Sequence, residues 1–274
     1  MNTAIHYPGS AKWITLLIGC LLPVQAYAQS SIPLPILSID DHLNERPLFD
    51  ALTRRVAGLE VDVYLVEDEL RIGQHIDLLT KGRTLTNLYL EPLRLLSMRN
   101  NGQVYEDAST PLVLILDIKT DAMATYKALQ RVMAGYERML TRYSMTSTLP
   151  GTISLIITGN YSSDLLASEA ERFVAIQGSV TNLTDADFNR HLSPVISLDW
   201  SGLFVWDGSG EMPADQLESL SMVSRMIRDA GAISRMLKAP PSPAVWRVLQ
   251  SANIDLVDSD QVEFFGLFLR SNGL

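Results

Sequence analysis

The stretch Leu112-Val-Leu-Ile-Leu-Asp-Ile-Lys119 is apolar until its last few residues, where Asp117 and Lys119 interrupt it. A strand with one wet face alternates apolar and polar residues, whereas a strand of a parallel sheet is covered on both faces and reads as a near-continuous run. This run therefore predicts a buried parallel strand. Similar runs occupy residues 34–39, 59–65, 153–158, 173–177, 195–198, 235–238 and 254–257, eight candidate strands in all. Helical patterns lie between several of them. Pro47 suits a first helical turn for 47–57, and Asn100-Asn-Gly102 stops a helix over 85–101. Further helices are predicted over 120–143, 213–230 and 243–252. Strands alternating with helices imply right-handed crossovers and a parallel sheet. Eight such strands fit a closed (β/α)8 TIM barrel. A doubly wound open sheet has the same periodicity and stays open as an alternative.

Composition bounds what this α/β protein can do. The 274 residues are 47% apolar and 19% charged, enough to bury a core. The formal charge of −9 gives nucleic acid no electrostatic reason to bind. The single cysteine, Cys20, cannot form a disulfide framework.

The N-terminus sets the expected compartment. Lys12 precedes an apolar run, and Ala26-Tyr-Ala28 closes it before Gln29. A basic flank, a short apolar stretch and an Ala-x-Ala site form a cleavable secretory signal over 1–28. The run is shorter than the roughly 20 residues of a membrane-spanning helix. Leu17-Ile-Gly-Cys20 offers a second reading, lipid attachment at Cys20, which would waste the Ala-x-Ala site. Cleavage after Ala28 leaves an exported chain, 29–274, as one domain with no cysteine and no transmembrane segment. It carries 21 basic and 31 acidic residues, a net charge of −10.

The informative residues are charges where a parallel strand should be apolar. In Gly58-Leu-Glu-Val-Asp-Val-Tyr-Leu65, Glu60 and Asp62 stand two apart and so share one face. Asp117 and Lys119 repeat the spacing in the next predicted strand. Both sets lie toward strand C-termini, where barrel active sites are built. Converging carboxylates repel unless a cation or a lysine compensates. Oxygen donors suit Mg²⁺ or Ca²⁺, while loop capping or pairing with Lys119 and nearby arginines would explain the same charges without a metal.

Several stretches resemble one family. They are Arg46-Pro-Leu-Phe-Asp-Ala-Leu52, Leu59-Glu-Val-Asp-Val-Tyr-Leu-Val66, Thr84-Leu-Thr-Asn-Leu-Tyr-Leu-Glu-Pro-Leu93 and Leu114-Ile-Leu-Asp-Ile-Lys-Thr-Asp121, continued by Ile157-Thr-Gly-Asn160, Asp199-Trp-Ser201 with Trp206, and Ile254-Asp-Leu-Val-Asp-Ser-Asp260. These are similar to the phosphodiesterases related to phosphatidylinositol-specific phospholipase C and glycerophosphodiester phosphodiesterase, closest to the branch of altered inheritance of mitochondria protein 6. The resemblance implies a TIM barrel and a divalent metal held by Glu60, Asp62 and Asp117. Lys119 matches the lysine that accompanies them. It further implies two histidines as general acid and base. Here the chain departs from the pattern: Ile39 stands at the first histidine position and Gln74 at the second. His42 lies three residues beyond the first, and His75 one beyond the second. Neither an alkyl group nor an amide can do acid–base work near neutrality.

Two expectations follow. One is a secreted, metal-dependent phosphoric diester hydrolase acting on a glycerophosphodiester or phospholipid headgroup, with Lys119, His42 and His75 as its catalytic candidates. The other is a catalytically silent barrel that keeps a metal or phosphate-ester pocket, with His42 and His75 as plain loop residues. His191 reads as a surface or loop residue, Tyr64 and Tyr89 as structural, and Met222, Met226 and Met236 as core. Trp200 and Trp206 suit either a cleft mouth or ordinary packing.

Overall fold

The structure, a computed structural model, describes residues 33–108 and 110–273. The expected signal over 1–28 and the alternative at Cys20 lie outside the described residues. Eight parallel strands close into a barrel: β1 (Leu34–Ser38), β2 (Val56–Val66), β3 (Leu112–Ile118), β4 (Ile153–Gly159), β5 (Val174–Ser179), β6 (Val195–Asp199), β7 (Ile233–Leu237) and β8 (Leu256–Ser259). Each pairs with its neighbours in chain order, and β1 pairs with both β8 and β2, which closes the ring. The eight predicted strands are thus all present, and the open sheet is excluded. A short antiparallel strand, Glu69–Ile72, folds back on the overhanging end of β2 and was not foreseen.

Two apolar clusters hold the barrel. Leu37, Val113, Ile115, Ile156, Ala175, Val195 and Leu256 fall in the smaller one. The larger gathers the alternate strand positions, such as Leu59, Val61, Leu114, Leu116, Leu155 and Ile157, with the surrounding helices. Gly58 lets the strands meet, because a Cβ there would lie 2.8 Å from the carbonyl oxygen of Val113 and 3.3 Å from Leu37.

Two helix expectations are corrected. The segment 47–57 makes one helical turn, α1 (Phe49–Leu52), because Arg55 adopts a positive φ and β2 begins at Val56. The segment 120–143 is helical in α3 (Ala122–Met133), which Asp121 caps by accepting from the Ala124 amide at 2.8 Å. Beyond it the chain turns at Gly135 and reaches a two-residue strand, Arg142–Tyr143. The other expected helices appear as α2 (Glu91–Arg99), preceded by a π turn, α6 (Ala214–Asp229) and α7 (Pro243–Ser251). Short helices α4 (Ser163–Ser168) and α5 (Trp200–Leu203), and the terminal α8 (Val262–Ser271), complete the layer.

Candidate active site

Pairing of β2 with β3 sets Asp62 directly opposite Asp117 and Glu60 opposite Ile115. The two-residue spacing then carries the three carboxylates to the inner, C-terminal part of the barrel. Lys119 follows β3 and turns back over them. Its Nζ lies 2.6 Å from Asp117 Oδ2 and 3.3 Å from Asp62 Oδ1. Burial works against the charge on Lys119, but the bond to Asp117 and the two carboxylate charges outweigh it and raise its pKa.

Glu60 has a different partner. Arg235, on β7, is 1% exposed. Its Nε and Nη2 each donate to the Asp258 carboxylate at 2.8 Å, and its Nη1 donates to Gln177 Oε1 at 2.5 Å. Nη2 also lies 2.7 Å from Glu60 Oε2. A buried guanidinium is tolerated only with this kind of complete pairing. Burial raises the carboxyls of Glu60, Asp62 and Asp258, with Arg235 opposing at Glu60 and Asp258 and Lys119 opposing at Asp62.

His42 sits on the 3₁₀ turn Asp41–Leu43 that follows β1. It is 3% exposed, and neither ring nitrogen has a hydrogen-bond partner among the described residues. Burial lowers its pKa, and the charges of Asp62, Asp40 and Asp41 oppose that shift while Arg83 adds to it, so the imidazole lies within the field of Asp62. Asp41 fixes this turn. Fully buried, it accepts from the Leu48 amide at 2.6 Å, the Tyr89 hydroxyl at 3.0 Å and the Asn44 amide group at 3.2 Å. Arg83 clamps the same turn through the His42 carbonyl. Tyr89 is therefore structural, as expected, and Tyr64 donates to the carbonyl of Gln74 at 3.0 Å.

The structure brings Glu60, Asp62, Asp117, Lys119 and His42 to one end of the barrel. His75 and Gln74 lie on the loop after the added strand, His75 exposed, and Ile39 is half-buried. Ile39 lines a cleft of about 540 Å³ between the β1 and β8 loops, with Asp40, Asn44, Arg54 and Phe264. Trp200 and Trp206 are buried, and each indole N–H donates to a backbone carbonyl, of Trp206 and Ser209 respectively, so packing accounts for both. His191 lies on the loop before β6, where its Nδ1 is 2.8 Å from Thr148 Oγ1. Met236 is core, whereas Met222 and Met226 are exposed on α6, contrary to expectation.

Sequence reading passed over Arg235, Asp258 and Asp41. The first two carried the same signal as Glu60, a charge inside a buried strand. Asp41 carried no such signal, because it stands beside Asp40 on the turn after β1, where a charge is ordinary.

The donor chemistry fits a hard divalent cation. Four inward carboxylates, Glu60, Asp62, Asp117 and Asp258, face two cations, Lys119 and Arg235, which leaves two negative charges in this group. Among the described residues, however, no three His, Cys, Asp or Glu side chains are already grouped as a metal cage. Asp62 and Asp117 form a pair, and Glu60 is turned onto Arg235.

Comparison with known proteins agrees with this architecture. The chain is 28% identical over 263 residues to the altered inheritance of mitochondria protein 6 homolog of Arthroderma benhamiae, covering 84% of this chain and 82% of that protein. It is 29% identical over 283 residues to altered inheritance of mitochondria protein 6 of Saccharomyces cerevisiae, covering 88% of this chain and 70% of that one. A Ca²⁺-dependent phosphatidylinositol-specific phospholipase C from Streptomyces antibioticus shares the fold, with a TM-score of 0.56 at 10% identity over 85% of this chain and 95% of that one. The profile of the AIM6-like phosphodiesterase domain matches residues 25–175, and the chain belongs to that family.

Proposed function

We propose that this chain is an exported, divalent-cation-dependent phosphodiesterase acting on a glycerophosphodiester or a phospholipid headgroup, with His42 as its proton-transfer group. The observation that carries the reading is His42: a buried imidazole whose two nitrogens have no partner among the described residues, within the field of Asp62. An unpaired buried polar group costs about 1–3 kcal/mol, and a substrate that supplies its partner recovers that cost.

Asp62 and Asp117 would hold Mg²⁺ or Ca²⁺, which supplies Lewis-acid polarisation of the phosphoryl oxygens. Lys119 faces the negative charge that develops on those oxygens. His42, neutral near pH 7, accepts the proton of the attacking water as its oxygen bonds to phosphorus. The bond from phosphorus to the leaving alcohol oxygen breaks, and the same proton can be returned to that oxygen. His75, exposed on its loop, takes no part in these transfers.

A silent phosphate-ester binder is the second reading, favoured by Ile39 and Gln74 at the family's histidine positions. One assay separates the two. Protein loaded with Mg²⁺ or Ca²⁺ is offered a panel of glycerophosphodiesters and headgroup diesters, and His42→Gln is compared with the wild type. Cation-dependent product that falls in the variant supports the enzyme; binding without product supports the silent barrel. N-terminal sequencing of exported protein tests cleavage after Ala28 against lipid attachment at Cys20.

A further inference from the structure

We propose that the two internal cations divide the acidic trio, so that Arg235 keeps Glu60 out of the metal's ligand set while Lys119 yields Asp62 and Asp117 to it. This rests on the cation-dependent reading above.

The argument is one of mobility and charge. The Lys119 side chain is 32% exposed, sits on a flexible four-carbon stem and touches two carboxylates. A divalent cation entering from the mouth competes with it for those oxygens, and the displaced ammonium can move into solvent. Arg235 has no such exit. Its side chain is 2% exposed and is pinned by Asp258 from two nitrogens and by Gln177 from a third. A cation ligated by Glu60 would share that carboxylate with a guanidinium whose Nη2 is 2.7 Å from Oε2. Like charges that close repel strongly where water is excluded. The exchangeable oxygens are therefore those of Asp62 and Asp117. His42 is the independent sign that a ligand belongs on this side. It is buried and unpartnered among the described residues, and it lies in the field of Asp62 rather than in the Arg235 network.

Lys119 thereby acts as a tethered competitor for the metal, and as the group left facing the phosphate once the metal has entered. Glu60 serves instead to neutralise Arg235.

Calorimetric titration with MgCl₂ or CaCl₂ alone, together with melting curves in the same salts, tests this on the full chain. Glu60→Gln should bind within about threefold of the wild type, below the 10–100-fold typical of losing even an outer partner of a metal site. Asp62→Asn and Asp117→Asn should lose about 100-fold or more. Lys119→Met, which removes the competitor, should bind about 10-fold tighter. A Glu60→Gln variant that loses the cation as completely as Asp117→Asn overturns the proposal while leaving the cation reading intact. So does a Lys119→Met variant that binds more weakly than the wild type; this variant keeps the test open should Glu60→Gln fail to fold. Absence of any response in both the wild type and Lys119→Met overturns the cation reading and this proposal together.

Discussion

Arg235 grips Asp258 across neighbouring strands with two parallel hydrogen bonds of 2.8 Å, inside the barrel and out of reach of solvent. A pair so placed adds little stability relative to an apolar core, yet removal of one partner leaves the others charged and buried. Arg235→Met should therefore destabilise the protein by about 3–5 kcal/mol, because Glu60 and Asp258 lose their counter-charge together. Denaturant unfolding of Arg235→Met against the triple variant Arg235→Met, Glu60→Gln, Asp258→Asn checks this. The triple variant should regain part of the loss; if it is less stable still, the network contributes through packing rather than charge.

His42 makes stability depend on pH with a definite sign. Burial holds its pKa below the ordinary imidazole value, with Asp62 opposing. In the unfolded chain the ring takes a proton near pH 6.5, while the native protein takes it at lower pH. Between those values the unfolded chain binds more protons, so this contribution is present above about pH 6.5 and is lost as pH falls. The raised carboxyls of Glu60, Asp62 and Asp258 work the other way at lower pH, since the native state holds their protons longer. The difference in melting temperature between wild type and His42→Gln should be flat above about pH 6.5 and shift against the wild type below it. A difference that is constant through the acid range would place His42 in contact with water.

Gly159 is a sensitive position outside the charged set. It ends β4 at φ +75°, and a Cβ there would lie 2.2 Å from Asp117 Oδ1 and 2.5 Å from the Ile118 carbonyl oxygen. Gly159→Ala should cost about 1–2 kcal/mol for the left-handed backbone alone, and it should also displace the Asp117 carboxylate. We expect the Mg²⁺- or Ca²⁺-dependent rise in melting temperature to shrink by more than the baseline stability falls. A variant with full cation response would show that Asp117 can move aside without consequence.

Much of this arrangement was legible before the structure, and the reason is local. Covered parallel strands announce themselves as apolar runs, and Glu60, Asp62 and Asp117 stood out because they broke those runs at the two-residue period of a strand. What pairs with them could not be read in the same way. Arg235 reaches Glu60 across the barrel, from a strand 175 positions later; closure, not sequence proximity, brings them together. The helix expected over 47–57 was too long for the opposite reason. Pro47 lies on the turn before the Leu48 N-cap rather than in the first helical turn, and β2 captured Val56 into the sheet, so tertiary pairing overrides propensity in so short a segment. The histidines show a third limit. His42 and His75 looked equivalent as offsets from lost family positions, yet the clamp of Asp41, Tyr89 and Arg83 buries one turn while the other stays in solvent.

That difference decides the proton-transfer predictions. A positioned acid–base group typically contributes about 10²–10⁴-fold, so His42→Gln should lower any cation-dependent turnover by about that factor. His75→Ala should leave it unchanged, because an exposed loop imidazole holds no fixed geometry toward the Asp62–Asp117 pair. Restoring the family residues probes the same question from the other side. Ile39 lines the cleft beside the β1 loop, so Ile39→His would place an imidazole there without disturbing the buried turn at His42. Gln74→His alters a loop side chain, leaving its carbonyl free to accept from Tyr64. The double variant should therefore gain turnover over the wild type in steady-state assays with Mg²⁺ or Ca²⁺, and the gain should persist when His42→Gln is added. If turnover instead collapses on adding His42→Gln, the chain has committed its chemistry to His42, and the family positions no longer reach the phosphorus. A wild type without turnover that the double variant does not awaken, but that binds the same phosphate esters in calorimetric titration, would identify a barrel that holds them and leaves them intact.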